Sequence, residues 1–302
     1  MKILSEAEGE PHTVEEARAR DERWDHRRYE KSRVVAQDEE GVVVGYGEVY
    51  QEPSRFEPGR YFIRLAVEER WRGRGIGAAL WEHLAAELDE RRARIACAWA
   101  DESAAAREFL EHRGFRVVIK GVEQVLELAA FDPSAFAGAI DRVRAQGIVL
   151  ADLSTEAARD EDAHRKAHGL SFAARTDQPT LGQVTAAPYA DWLRTNVESP
   201  QALPDGYAVA MDAGRYVGSS SLLRISKTDV RAVVTAVLPS HRRRGIALAL
   251  KLMTIAYARA IGAERITTSV AEPNVAMLAL NVRLGFRRTR SWAGYERECV
   301  PV

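Results

Sequence analysis

Arg72-Gly73-Arg74-Gly75-Ile76-Gly77 returns 170 residues later as Arg242-Arg243-Arg244-Gly245-Ile246-Ala247. Each copy follows an apolar, strand-like run and opens a helical pattern. A glycine- and arginine-rich turn in that setting suits a phosphate. Backbone N–H groups at a helix start point at the anion, and small residues let the backbone approach it. The register continues into the helix, where Ala79 matches Ala249 and Leu80 matches Leu250. Further on, Arg113-Gly114-Phe115 matches Leu284-Gly285-Phe286 at a spacing one residue longer. Two motifs kept in register imply a duplicated chain. The joint is expected near residue 148, giving domains 1–147 and 148–302.

Apolar periodicity predicts the same element order in each half. In the first, strands are expected over 42–51 and 60–67, a helix over 75–92, a strand over 95–99 and a helix over 103–113 stopped by Gly114. Residues 116–120 and 123–128 suggest a closing hairpin. In the second, strands are expected over 207–211, 216–225 and 230–238, a helix over 245–261, a strand over 265–270 and a helix over 274–284. Two further helices are expected near 155–168 and 188–197, and a connecting helix near 131–147. Residues 1–11 are too polar for a first strand, whereas Gly147-Ile148-Val149-Leu150 supplies one to the second half. The fold class is α/β (α+β), two similar domains.

Composition narrows the function classes. The chain has 302 residues, 46% of them hydrophobic and 29% charged, which suits two ordinary globular cores. A net charge of −1 provides no field toward nucleic acid or membrane, so neither is an expected partner. Cys97 and Cys299 are far apart, which argues against a disulfide or metal framework and suits a reducing cytoplasm. The start carries no signal-peptide core, and no run spans a bilayer.

The loop has three readings. A tight strand-to-helix turn needs glycine for geometry alone. Gly73-x-Gly75-x-x-Ala78 fits a loose dinucleotide fingerprint, but Arg243 stands where the second copy needs glycine, and no Gly-Lys-Ser/Thr follows to make a nucleotide P-loop. In the third reading, Arg72-x-x-Gly75-x-Gly77 and Arg242-x-x-Gly245-x-Ala247 resemble the coenzyme A pyrophosphate signature of the GCN5-related N-acetyltransferase (GNAT) superfamily. Asn274-x-x-Met277-x-x-x-Asn281-x-x-Leu284-Gly285-Phe286 is similar to that family's last conserved helix, with Ser103 to Phe115 as the weaker counterpart. The resemblance covers both halves, as in tandem members of the family.

The resemblance implies two GNAT-like domains, each a mixed, mostly antiparallel sheet flanked by helices. It implies an acyl-CoA-dependent N-acetyltransferase that moves an acetyl group from acetyl-CoA to a primary amine of a small acceptor by direct attack, without a metal, as monomer or homodimer. The expected cofactor contacts are Ala66, Val67, Arg72, Gly73, Arg74, Gly75, Ile76, Gly77 and Ser103 in the first half. In the second they are Val237, Leu238, Arg242, Arg243, Arg244, Gly245, Ile246, Ala247, Asn274 and Asn281.

Proton chemistry departs from the family pattern. Where many members carry a glutamate on the fourth strand, this chain has Ile63 and Val233. Where many carry a tyrosine before Gly-Phe, it has Leu110 and Asn281. Leucine transfers no proton, and asparagine only hydrogen-bonds. Substitute catalytic candidates are Glu48, Glu123 and Asn281. Glu48 is a base or an amine anchor on one reading, and on the favoured one a solvated strand-face carboxylate. His241 is a titrating group, or an exposed or phosphate-touching one, Trp292 and Tyr295 are pocket walls or packing, and Asp229 and Thr235 are further polar groups on the second fourth strand. The first half keeps the better loop. The second keeps the better pantetheine side, with Asn274 against Ser103, and is favoured as catalytic. A non-catalytic acyl-CoA-binding or regulatory module is the alternative.

Overall fold

In the computed structural model, which describes residues 3, 14–22, 24–176 and 179–299, each expected strand–loop–helix forms in the expected order. Apart from Ile3, residues 1–11 lie outside the described residues. The elements of the first half are α1 (Val14–Glu22), β1 (Lys31–Gln37), β2 (Val43–Tyr50), β3 (Arg60–Val67), α2 (Ile76–Glu90), β4 (Ile95–Asp101), α3 (Ala104–Glu111) and β5 (Arg116–Glu127). There follow α4 (Ala139–Arg144), β6 (Ile148–Asp152), α5 (Leu153–Ala157), α6 (Ala163–Arg175), α7 (Tyr189–Asn196), β7 (Ala202–Asp212) and β8 (Arg215–Arg224). The chain continues with β9 (Asp229–Val237), α8 (Ile246–Ala260), β10 (Arg265–Ala271), α9 (Val275–Arg283) and β11 (Arg287–Glu298).

These elements form two compact units. Unit 1 holds residues 1–120, 181–185 and 292–302, and unit 2 holds 121–180 and 186–291. Gly147 and Ile148, at the joint read from the sequence, both lie in unit 2. In unit 1 the strand order is β1-β2-β3-β4-β11, antiparallel except for β3–β4. In unit 2 it is β5-β10-β9-β8-β7-β6, antiparallel except for β10–β9. Both units thus have the expected α/β class with a mixed, mostly antiparallel sheet.

The final strands are exchanged. The strand beside β4 in unit 1 is the end of β11, with Trp292 opposite Asp101 and Tyr295 opposite Ala98. The strand beside β10 in unit 2 is the end of β5, with Glu123 opposite Ser269 and Gly121 opposite Ala271. This corrects the hairpin expected over 116–128. Gly121, between the two expected arms, keeps its place in a continuous ladder, where β10 supplies the backbone partners a hairpin would have provided. The connecting helix expected over 131–147 is also broken. Asp132 caps a short 3-10 turn over Pro133–Phe136, and left-handed Gly138 (φ 69°) starts α4.

The cores explain the helix faces. In unit 1, Trp81, Leu84 and Leu88 of α2 pack on Val49, Ile63 and Ala98. In unit 2, Ile246, Ala249 and Leu250 of α8 pack on Val209, Val217 and Val237. Burying such side chains contributes about 1.5–3 kcal/mol each. That anchors the helix whose first turn carries the loop.

Candidate functional sites at the two loops and splayed strands

The two loops share one backbone. After β3 a 3-10 turn over Glu69–Trp71 leads to extended Arg72, left-handed Gly73 (φ 74°) and left-handed Gly75 (φ 83°), which starts α2. After β9 a 3-10 turn over Pro239–His241 leads to Arg242, Arg243 (φ 64°) and Gly245 (φ 83°), which starts α8. Arg72 Nε donates to the Val67 carbonyl at 3.1 Å, and Arg242 Nε donates to the Val237 carbonyl at 3.1 Å. Neither α2 nor α8 has a side-chain cap. By contrast Ser103 caps α3, Asn274 caps α9 and Asp152 caps α5. An uncapped start leaves the first N–H groups and the positive end of the helix dipole facing outward, as an anion requires.

The loops differ in what surrounds them. A Cβ on Gly73 or Gly75 would meet nothing within 4 Å, and Arg74 lies over the Trp71 ring at 4.8 Å. Loop 2 is tied down within its unit. Arg244 Nε donates to Gln146 Oε1 at 3.1 Å, and the Gln146 amide donates back to the Arg244 carbonyl at 3.1 Å. Asp212 meets His241 at 3.0 Å and Arg244 at 3.4 Å. Val143 comes within 3.5 Å of where a Gly245 Cβ would stand. His241 is therefore an anchor of the loop.

Beside each loop two parallel strands part. β3 and β4 pair only from Arg60↔Ile95 to Ile63↔Ala98, and β9 and β10 only from Asp229↔Arg265 to Ala232↔Thr268. Beyond those pairs lie Arg64–Val67 and Val233–Val237. Glu68 N–H donates to Val44 O on β2 and Leu238 N–H to Val217 O on β8. Strand alternation turns the preceding N–H groups, those of Val67 and Val237, to the opposite edge, toward the gap. A donor of that kind suits a developing oxyanion.

In unit 1 the positions of the expected acid and base are filled with packing. Ile63 is buried in the unit 1 core, as is Leu110. Val233 bulges out of the β8–β9 ladder and is 42% exposed. Asn281 is fully buried, donates from Nδ2 to Gln124 Oε1 at 2.8 Å, and keeps its Oδ1 without a partner. Glu48 is buried, with Arg33 Nε at 2.8 Å, Arg64 Nη1 at 3.1 Å and Lys31 Nζ at 3.4 Å. This corrects the solvated-carboxylate reading. The Glu48 carboxylate is engaged by all three cations. Beside it, burial and then the Glu48 charge push the Tyr46 hydroxyl up to about 12.

Glu123, read with the first half, belongs to unit 2, where its carbonyl accepts from Thr289 Oγ1 at 3.3 Å. Trp292 and Tyr295, read with the second half, belong to unit 1. Trp292 packs edge-on to Trp99 at 5.1 Å, and Tyr295 is buried in the core. Asp229 is held by Arg265 at 2.7 Å, and Thr235 shares a 2.9 Å hydrogen bond with Ser220. Both are structural partners.

Two groups were missed. Asp101 ends β4 and alternates onto the same sheet face as Trp99, beyond the last β3–β4 pair. Its neighbourhood depends on the strands parting, which no local pattern encodes. Lys251 is 3% exposed, with its ammonium 5.0 Å from the Phe286 ring centre, and burial pushes it down to about 8. A lysine amid apolar helix residues was the available signal. Among the described residues no group of His, Cys, Asp or Glu is arranged to hold a metal, and no helix is long and apolar enough to cross a membrane.

With this geometry in hand, the sequence profile described as the Acetyltransferase (GNAT) family matches residues 1–115 and 154–286. Among solved structures, a GCN5-related N-acetyltransferase from Sphaerobacter thermophilus is similar at 19% identity and a TM-score of 0.71, covering 98% of this chain and 89% of that one. A tandem GNAT protein from the clavulanic acid biosynthesis pathway is similar at 21% identity and a TM-score of 0.68, covering 91% and 84%. At these identities the likeness speaks for the fold. No curated protein matches the sequence.

Proposed function

Since this chain belongs to the acetyltransferase (GNAT) family, we propose that it transfers an acetyl group from acetyl-CoA to the primary amine of a small acceptor by direct attack, with turnover in unit 1. The observation that carries the reading is the open loop at Gly73–Gly75 beside the parting of β3 and β4. The uncapped start of α2 and left-handed Gly75 fit a pyrophosphate there. The sequence favours the C-terminal half through Asn274 and through the strand expected at 147–150, but Asn274 and Ser103 do the same capping work, accepting from Met277 N at 3.3 Å and Ala106 N at 3.2 Å, and β1 gives unit 1 an edge strand of its own. What still separates the halves is the loop, and loop 2 is engaged by Gln146 and Asp212.

The chemistry needs three things of this chain. Arg72 and the start of α2 clamp the pyrophosphate. The Val67 N–H meets the negative charge that develops on the thioester oxygen. Asp101, on the face opposite α2, takes the proton from the attacking ammonium, which at neutral pH is otherwise charged and unreactive. The new C–N bond replaces the C–S bond, the departing thiolate takes up the second proton that the nitrogen sheds as it becomes an amide, and the first passes from Asp101 to solvent.

A non-catalytic acyl-CoA-binding module is the second reading, favoured by Leu110 and Asn281 standing where a proton donor is usual. Both readings meet one experiment. Free thiol release from acetyl-CoA is followed over a panel of amines for wild type, Gly75→Val and Gly245→Val, with thermal unfolding as the control for folding. Gly75→Val is expected to remove turnover and Gly245→Val to cost less. The reverse ranking returns the chemistry to the C-terminal half, and acetyl-CoA binding without turnover on any amine favours the module.

A further inference from the structure

Arg64 and Trp99 are the first residues beyond the last β3–β4 pair, Ile63↔Ala98, so they form the two lips of the gap in unit 1. Ile63 and Ala98 face α2 in the core, and alternation turns Arg64 and Trp99 to the other face. On that face Arg64, whose side chain is 30% exposed, meets Glu48 and lies over the Tyr50 ring at 5.5 Å. Lys31 and Arg33 also meet Glu48, and both reach Asp21 of α1. Lys31, Arg33 and Arg64 thus gather around Glu48 and Asp21 beside the gap, with the Asp101 carboxylate farther along β4. Across the gap, Trp99 is 38% exposed, with the Arg55 guanidinium 5.9 Å from its ring centre. The adjoining Trp292 indole N–H is buried without an acceptor. This face is rich in donors and cations. In unit 2 the residues after the last pair are Val233 and Ser269, which carry no charge.

A ligand complementary to this face brings acceptor oxygens and a flat surface. We propose that the acceptor of unit 1 is an amine that also carries a carboxylate, read by Arg64 at the lip of the gap. A guanidinium offers a planar pair of donors that matches a carboxylate, and the exposed Trp99 ring offers a surface for the rest of the molecule. The proposal rests on the reading of the chain as an acetyltransferase for small amines.

Thiol release from acetyl-CoA is measured with the full-length protein on the common amino acids and, in parallel, on their carboxamides. The best amino acid is expected to exceed its amide in kcat/KM by at least about tenfold, the discrimination given by one charge-assisted hydrogen bond. Arg64→Gln should abolish that preference and Arg64→Lys retain part of it, with unchanged far-ultraviolet circular dichroism in both. Equal rates for acid and amide, or a preference that survives in Arg64→Gln, overturn the proposal. If no amine turns over, the transferase reading fails by itself. Recognition is then measured by calorimetry with the corresponding N-acetyl amino acids. Binding that is lost in Arg64→Gln upholds the carboxylate site, and binding that is absent or unaffected overturns it.

Discussion

Loop 1 and loop 2 follow nearly the same backbone with different residues, and the difference separates what geometry demands from what a ligand demands. Position 73 is glycine at φ 74°, and its counterpart is Arg243 at φ 64°. The turn imposes a left-handed residue on both loops, but only the first uses the residue that adopts it freely. Loop 2 bears the strain and adds Gln146, Asp212 and Val143 around itself. Loop 1 lacks those supports and stays open. The helices that follow diverge in the same way. Trp81 packs edge-on to Phe115 at 5.5 Å, and the corresponding Lys251 holds an ammonium over Phe286. One unit has an apolar brace under its last helix where the other has a buried charge.

The two units differ most at the end of the strand that follows the long helix, where the proposed proton acceptor stands in unit 1. Asp101 ends β4, whereas Ala271 ends β10. If unit 1 is the site of turnover, Asp101→Asn should lower kcat by about 10²–10⁴-fold with little change in the KM for acetyl-CoA. Steady-state kinetics on the best amine checks this, and an unchanged kcat would sink the assignment.

A smaller effect is expected at Lys251. Its proton affinity falls from 10.5 in the unfolded chain to about 8 when buried. This corresponds to about 3 kcal/mol against the folded state wherever the amine is charged. Between pH 8 and 10.5 the unfolded chain binds a proton that the folded chain does not, so stability should rise with pH across that window. Urea unfolding at a series of pH values should show the rise in the wild type. Lys251→Met should remove the rise and be more stable at pH 7. A pH-independent wild type would mean that the ammonium is solvated.

The smallest effect tests the strain. Arg243→Gly should stabilise the chain by about 1 kcal/mol, the cost of a left-handed L-residue, read as a rise in the unfolding midpoint. Loss of stability instead would mean that the Arg243 side chain makes contacts worth more than its backbone costs.

Much of this was legible in the chain. The strand–loop–helix units, their glycine caps and the duplication all follow from backbone chemistry within a few residues. Gly75, Gly114, Gly245 and Gly285 each have positive φ where the sequence reading has a helix begin or end. The α/β class followed from the same periodicities. β1 was not legible, because Lys31 and Arg33 break its apolar pattern and make sense only opposite Glu48.

Two like units and the places of their glycine loops are thus readable in the chain, and the family resemblance marks Ile63, Val233, Leu110 and Asn281 as departures from its pattern. Tertiary structure alone decided that β5 and β11 end in opposite units, that Glu48 is a buried ion-pair partner, and that Trp292 stands beside Trp99. The physical reason is range. Loops and caps are settled by neighbouring backbone groups, whereas strand partners and charge partners are chosen among residues far apart in sequence, by which backbone edges and buried charges must be satisfied.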